Sequence, residues 1–271
     1  MEETIIPLGK RGGMFKARTP RDLLEQHIMR ATFPRLIQMT LIKTTAKKIL
    51  KSQGYTVSKA PSLGDFIRSR NVDLVLDIGA NVGQYCRDLR FEGYKGDIVS
   101  FEPIKAVYDE LSSYMMHDKR WRGENVGIGS SCSTATIAVS ENSVFSSLRP
   151  QSSYAAEFDS RVRVVSTEEI EIFPLDHFAA YLLPYRNVFC KIDTQGFEEE
   201  VLRGAKQVIG SFCGIQLELP LAHLYEQTWT FREAIECLAS LGFVPAQFRQ
   251  TNPMNDDPAS WVEADCIFRR A

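Results

Sequence analysis

The chain has 271 residues, of which 44% are hydrophobic and 24% charged, and its net charge is −2. These values are ordinary for a soluble globular protein, and no apolar run approaches the roughly 18 residues of a membrane span. The six cysteines are scattered and include no Cys-x-x-Cys pair, so their spacing indicates neither a disulfide framework nor a metal site. We therefore expect reduced thiols and a cytoplasmic protein.

The N-terminal part of the chain predicts helices ahead of the core. Thr19-Pro20-Arg21-Asp22 combines a hydroxyl cap, a proline in the first turn and an early carboxylate, which is typical of a helix start. Residues 1–60 hold 12 Lys and Arg against 4 Asp and Glu. This basic segment is either a solvated helix face or a contact for anionic lipid, a phosphate-bearing carrier or another subunit. We predict a helical extension over 1–65 and one Rossmann-like domain over 66–271.

The first strand of that domain is followed by a glycine turn. An apolar run over 74–76 ends at Asp77, and Gly79 and Gly83 bracket a turn before helix-compatible sequence. Such a turn at the carboxyl edge of a parallel sheet is a place where cofactors bind. The spacing is Asp-x-Gly-x-x-x-Gly, which differs from the Gly-x-Gly-x-x-Gly of pyrophosphate-binding dehydrogenases. An acidic residue here suits a cofactor with positive charge, such as S-adenosylmethionine.

The second strand, over 97–101, ends at Glu102, 19 positions beyond Gly83. A carboxylate at this separation can accept hydrogen bonds from the ribose hydroxyls of a cofactor. Simpler interpretations remain, because Asp77 could be a turn residue or helix cap and Glu102 a solvated strand end. Asn125 and Gly127 follow a third strand predicted near 124–128, where they would contact adenine or form a flexible turn.

The rest of the chain continues the alternation of strands and helices. Extra strands are predicted at 134–139 and 162–165, separated by a serine-rich loop over 143–153. We also predict helices at 82–92, 104–116, 175–183, 197–210 and 231–241, and strands at 188–192, 214–219, 243–248 and 263–270. The order predicts an α/β fold: a seven-stranded, mostly parallel sheet of the class I methyltransferase type, with a closing antiparallel pair and extra strands before the fourth strand.

Two further carboxylates are predicted at strand ends. Asp193 closes the fourth strand of the main sheet and Glu218 lies near the end of the fifth, and such ends converge on one crevice. The two could bind Mg²⁺ through oxygen, or divide general-base and orienting roles. Alternatively, Asp193 only orders a loop around the cofactor. His223 follows the fifth strand and is a third candidate for a catalytic residue.

The motifs Leu-Asp-Ile-Gly-Ala-Asn-Val-Gly-Gln-Tyr (76–85), Ser-Phe-Glu-Pro (100–103) and Lys-Ile-Asp-Thr-Gln-Gly-Phe-Glu (191–198) resemble those of the FkbM-type S-adenosylmethionine-dependent methyltransferases. The resemblance runs from about Val72 to Phe248. One position departs from it, since Gln195 stands where that family usually has Glu. The predicted cofactor residues are Asp77, Gly79, Ala80, Asn81, Gly83, Tyr85, Glu102, Asn125, Gly127 and Asp193.

The resemblance implies methyl transfer to a hydroxyl of a sugar, glycolipid or other small molecule, and not to nucleic acid. Five serines of the 143–153 loop, the flat rings of Tyr154 and Trp261, and the amides of Asn142 and Asn252 are candidate sugar contacts. A homo-oligomer is possible. Two alternatives stay open: an NAD-dependent oxidoreductase, and an inert binding domain that retains the methyltransferase fold.

Overall fold

The computed structural model describes residues 44–45, 48–49, 51–52, 54, 61–255, 257 and 259–271. The chain divides into two compact units, residues 1–60 and 61–271. Residues 44–45, 48–49 and 51–52 of the first unit are helical. The helix start predicted at Thr19 and most of the basic segment lie outside the described residues, so the helical extension over 1–65 stays a prediction. No described helix combines the length and the apolar character that a bilayer crossing needs.

The second unit contains ten strands in two sheets. Their bounds are β1 Leu74–Ile78, β2 Asp97–Phe101, β3 Trp121–Glu124, β4 Gly127–Gly129, β5 Ser133–Ser140, β6 Val164–Pro174, β7 Val188–Ile192, β8 Phe212–Pro220, β9 Phe243–Pro253 and β10 Trp261–Arg270. The main sheet has the order β3-β2-β1-β7-β8-β10-β9. All its neighbours pair in parallel except β10, which runs antiparallel to both β8 and β9. The predicted seven-stranded sheet is confirmed.

The extra strands form a small sheet of their own, with the order β4-β6-β5. It stands before β7, the fourth strand of the main sheet, as predicted. The strand predicted at 162–165 is longer in the structure, where β6 runs over Val164–Pro174. The reason is its pairing, since β6 runs antiparallel to β5 along the length of that strand.

Helices cover both faces of the main sheet. Their bounds are α1 Leu63–Ser69, α2 Gln84–Phe91, α3 Lys105–Met115, α4 Ser153–Phe158, α5 Ala179–Leu182, α6 Glu198–Arg203 and α7 Phe231–Ser240. Successive residues of β1 point to opposite faces, so Leu74 and Leu76 pack with side chains of α5, α6 and α7, whereas Val75 packs with those of α1, α2 and α3. All five residues of β1 are buried. Burial on both faces explains the apolar run that marks this strand in the sequence.

Other predicted elements also differ from the structure. The third strand lies at Trp121–Glu124, upstream of the prediction, because it is an edge strand with only β2 beside it and it lacks a buried apolar run. The helix predicted over 197–210 ends at Arg203 and is followed by Gly204. A Cβ at Gly204 would lie 1.9 Å from the carbonyl oxygen of Gly129, so the chain here packs directly against β4.

Candidate active site

The glycine turn after β1 meets the end of β7 at backbone distance. Gly79 has a φ of +73°, and its N–H donates to the carbonyl of Phe101 at 3.0 Å. A Cβ at Gly79 would lie 1.9 Å from the carbonyl oxygen of Asp193. Only glycine satisfies both the left-handed conformation and this approach. The turn therefore brings the ends of β1, β2 and β7 together.

Glu102 fixes the next part of the turn from the end of β2. Its Oε2 accepts a hydrogen bond from the Asn81 N–H at 2.9 Å, and its Oε1 accepts one from the Ile104 N–H at 3.0 Å. The side chain is only 4% exposed. Burial raises the pKa of Glu102 to about 7, although the two backbone donors favour the charged form. Each carboxylate oxygen retains capacity for a further donor.

A cavity opens in front of these residues. Its described lining contains two carboxylates, those of Glu102 and Asp193, and no Lys or Arg side chain. An apolar wall faces them, formed by Phe101, Ile104, Val126, Ile128, Ile137, Leu148 and Phe197 among others. Five of the ten predicted cofactor residues line the cavity: Gly79, Asn81, Glu102, Gly127 and Asp193.

Asp77 is not among the described residues that line the cavity, so the direct cofactor contact predicted for it stays a prediction. Its side chain is fully buried beneath the turn. Oδ1 lies 3.2 Å from Nζ of Lys191, and Oδ2 accepts from Sγ of Cys86 at 3.2 Å. Burial alone would lower the pKa of Lys191, but Asp77 and Asp193 together outweigh burial and raise it. Asp77 therefore stabilises the turn from below.

Four other predicted cofactor residues also lie outside the described lining. The Ala80 N–H donates to Phe101 and Gly83 precedes α2 with a φ of +82°, so both shape the turn. The Tyr85 hydroxyl donates to Oε1 of Gln216 at 3.0 Å. Asn125 donates from Nδ2 to the carbonyls of Glu102 and Pro103, each at 2.9 Å, and so holds the end of β2.

Part of the predicted serine-rich loop covers the cavity. Ser143, Val144, Ser146 and Leu148 are among the lining residues. Nδ2 of Asn81 donates to Oγ of Ser143 at 3.0 Å, which ties this cover to the glycine turn. The sequence predicts the loop, but it does not show that the loop closes on the turn.

The other predicted sugar contacts have different surroundings. Tyr154 packs against Phe158, and the Asn142 side chain accepts from the Val144 N–H within its own turn. Ser147 and Ser152 donate from Oγ to the carbonyls of Gln195 and His223. Ser153 and Trp261 are exposed, and the Asn252 side chain lies outside the described residues.

A second, smaller cavity lies on the other side of Gln195, which lines both cavities. Its lining includes the carboxylates of Glu198, Glu218 and Glu263 and the ring of Tyr225. Burial raises the pKa of Glu218 well above its usual range, and the nearby charges of Glu263 and Asp193 act in the same direction.

Gln195 bridges the two carboxylates for which Mg²⁺ binding was predicted. Its Nε2 donates to Oδ1 of Asp193 at 2.8 Å and to Oε2 of Glu218 at 3.1 Å. An amide donor thus stands where a shared cation would be held. The described residues also contain no group of three or more His, Cys, Asp or Glu placed to hold a metal ion. These residues do not fit Mg²⁺, and the metal prediction is not supported.

His223 lies on the surface and is not among the residues that line either cavity. Its Nδ1 is 2.8 Å from Oγ1 of Thr228. The structure therefore offers no support for His223 as a base. Sequence reasoning missed Tyr225, two positions further on, whose hydroxyl donates to Oε1 of Gln195 at 2.9 Å.

Comparisons with known proteins agree with this architecture. The family model of the methyltransferase FkbM domain matches residues 77–245. No curated protein sequence matches the chain.

The chain is also similar to several solved structures over most of its length. Magnesium protoporphyrin IX methyltransferase from Synechocystis PCC 6803 is 11% identical with a TM-score of 0.41, over 84% of this chain and 97% of that one. A putative RNA methyltransferase from Pyrococcus horikoshii is 13% identical with a TM-score of 0.41, over 77% and 82%. TehB from Haemophilus influenzae is 9% identical with a TM-score of 0.43, over 83% and 67%.

Proposed function

The chain belongs to the FkbM methyltransferase family, and we propose that it transfers a methyl group from S-adenosylmethionine to a hydroxyl of a sugar, glycolipid or other small metabolite. The charged side chains that line the larger cavity are the observation that supports S-adenosylmethionine as the cofactor. Its described lining holds Glu102 and Asp193 without a Lys or Arg. S-adenosylmethionine carries an ammonium and a sulfonium, whereas NAD carries an anionic pyrophosphate. Glu102 can accept from the ribose hydroxyls of either cofactor, but a lining with carboxylates and without Lys or Arg disfavours the pyrophosphate of NAD.

The residues around this cavity fit such a cofactor. Glu102 would accept hydrogen bonds from the ribose hydroxyls, and the apolar side chains of Ile104, Val126 and Ile128 would pack on adenine. Because Gly79 has no side chain, the backbone of the turn can approach the end of β7 closely, and a Cβ at this position would block that approach. Once bound, S-adenosylmethionine supplies a methyl group already activated by the positive sulfur.

The protein must then align the acceptor and remove its proton. A hydroxyl oxygen that forms a bond to carbon must lose its hydrogen to a base within hydrogen-bond reach. We assign this role to Asp193, because its carboxylate lines the cofactor cavity and its side chain is 35% exposed. Glu218, on the far side of Gln195, would orient the acceptor from the smaller cavity.

The smaller cavity supports a neutral acceptor with hydroxyl groups. Hydroxyls donate well to carboxylates, and Glu198, Glu218 and Glu263 all line this cavity. The described lining has no Lys or Arg to neutralise a phosphate or carboxylate, which disfavours nucleic acid as well as small anions as acceptors. The basic segment, outside this cavity, would attract an anionic membrane surface or carrier. The proposal also includes a cytoplasmic location and a homo-oligomer.

The cofactor and the acceptor are tested separately. Calorimetry should show binding of S-adenosylhomocysteine but not of NAD. Methyl-labelled S-adenosylmethionine should then label a saccharide or glycoside in a screen of nucleotide sugars, glycolipids, macrolides, catechols and peptides, and Asp193→Asn should abolish the labelling.

Labelling of peptide nitrogen or catechol alone would overturn the sugar proposal. Binding of NAD without binding of S-adenosylhomocysteine would overturn the proposal that S-adenosylmethionine is the cofactor. Cofactor binding with no turnover on any acceptor class would favour the inert binding domain.

A further inference from the structure

The side-chain amide of Gln195 has a complete set of hydrogen-bond partners. Its two N–H groups point to two different carboxylates, Asp193 at 2.8 Å and Glu218 at 3.1 Å. Its oxygen accepts from the hydroxyl of Tyr225 at 2.9 Å. The amide can therefore be assigned in one orientation only, with nitrogen towards the carboxylates, because the reverse would place oxygen against oxygen.

The backbone of Gln195 is held as firmly as its side chain. Its φ is +54°, a left-handed conformation that non-glycine residues adopt only when their surroundings impose it. Oγ of Ser147 donates to the Gln195 carbonyl at 2.6 Å. The amide is thus fixed by contacts from β7, β8 and the two loops that carry Ser147 and Tyr225.

Two carboxylates that converge on one point need a positive partner between them. A proton, a metal ion or a hydrogen-bond donor can supply it. We propose that the Gln195 amide takes the place of a divalent cation between Asp193 and Glu218, so that Gln195 is a positioning residue and methyl transfer needs no metal. The link to catalysis rests on the proposed function, whereas the exclusion of the cation rests on the three side chains alone.

The proposal predicts what a change of one atom does. Gln195→Glu keeps the size of the side chain but replaces the NH₂ donor by oxygen, so that three carboxylates converge. Oxygen ligands of this kind bind Mn²⁺ and Mg²⁺. Gln195→Met removes both donors without adding a charge, and serves as the matched control.

The test is a titration with Mn²⁺ followed by electron paramagnetic resonance, which requires no acceptor. Wild type and Gln195→Met should bind no Mn²⁺ at 1:1 stoichiometry, whereas Gln195→Glu should bind one ion, and Asp193→Asn in the same chain should abolish that site. Binding of S-adenosylhomocysteine shows that each variant is folded. A stoichiometric wild-type site that is lost in Glu218→Gln would overturn the proposal, as would a folded Gln195→Glu variant that binds no Mn²⁺.

A second measurement stands even if Gln195→Glu does not fold. The Gln195 donor favours the charged form of Glu218, so its loss in Gln195→Met should raise the pKa of Glu218 further, as read by carboxyl-carbon NMR with Glu218→Gln for assignment. The other ionisable groups around Glu218 stay unchanged: Lys191 on β7 and Asp193 directly after it, Glu263 and Asp265 on β10, Glu198 on α6, and Tyr225. An unshifted pKa would show that Gln195 does not position Glu218.

Discussion

Nζ of Lys191 lies 3.2 Å from Oδ1 of Asp77 and donates to the carbonyl of Gly79 at 2.9 Å. One ammonium therefore joins the end of β1, the glycine turn and β7. Both side chains are buried, so this pair is shielded from salt, and loss of Lys191 leaves the Asp77 carboxylate without water or a counterion. The position of the turn depends on the pair.

The first prediction concerns this ion pair. Lys191→Met should lower the free energy of unfolding by about 3–5 kcal/mol, because it leaves the Asp77 carboxylate buried and uncompensated. The double variant Asp77→Asn with Lys191→Met should recover much of that loss. Urea unfolding measures both effects. A loss below about 1 kcal/mol in the single variant, as at an exposed pair, would contradict the burial argument.

The second prediction concerns the glycine turn. Gly79→Ala should abolish binding of S-adenosylhomocysteine, because the new Cβ would lie 1.9 Å from the backbone of Asp193. Gly93 is the control, since it also has a positive φ, +89°, but no heavy atom lies within 4 Å of its Cβ position. Gly93→Ala should cost only the backbone strain, about 1–2 kcal/mol, and leave binding intact. Equal binding by the two variants would refute the close approach.

The third prediction uses the pKa of Glu102, which is about 7. Ribose hydroxyls donate to the ionised carboxylate, so affinity for S-adenosylhomocysteine should rise about tenfold between pH 6 and pH 8 as this group loses its proton. Glu102→Gln should bind about 10- to 100-fold more weakly at pH 8, and its affinity should not vary with pH in this range. Calorimetry at three pH values decides, and a flat wild-type profile would remove Glu102 from the ribose site.

The fourth prediction concerns the cover over the cavity. Ser143→Ala removes the bond between Asn81 and the cover, which is worth about 1 kcal/mol, and should speed cofactor release about fivefold. Ser153→Ala, at the exposed start of α4, is the control and should leave the rate unchanged. Stopped-flow displacement measures both rates. Identical rates in wild type and Ser143→Ala would mean that the cover does not retain the cofactor.

The fifth prediction concerns the basic segment. The described residues that line the two cavities all lie within 61–271, so a chain without residues 1–60 should bind S-adenosylhomocysteine normally. Turnover of the native acceptor should fall, because the segment has a net charge of +8 that could attract an anionic surface or carrier. Full turnover by the shortened chain would leave the segment without a part in acceptor binding.

The strands that carry the site are the elements best predicted from sequence. The bounds of β2 and β7 coincide with the prediction, because strands buried on both faces are mostly apolar even where a polar residue such as Ser100 or Lys191 interrupts them. Glu102 and Asp193, the residues at their ends, both line the larger cavity. For these two carboxylates, the position at a strand end therefore correctly predicted a place in the lining of the larger cavity.

Pairing between distant side chains could not be predicted in the same way. Asp77 occupies a comparable strand end, but its carboxylate turns inwards to Lys191, which lies 114 positions later. No periodicity specifies that contact, since it depends on the register between β1 and β7. The approach of Ser143 to Asn81 and of Tyr225 to Gln195 likewise depends on how loops pack across the sheet.

The position of β10 between β8 and β9 has a consequence for folding of the protein. Among the described strands β9 pairs with β10 alone, so it has no neighbour in the sheet until Trp261–Arg270 have docked. Until then β8 also presents an unpaired edge, and such edges invite pairing with other chains. The partly folded chain is therefore most prone to misassociation before β10 has inserted between these two strands.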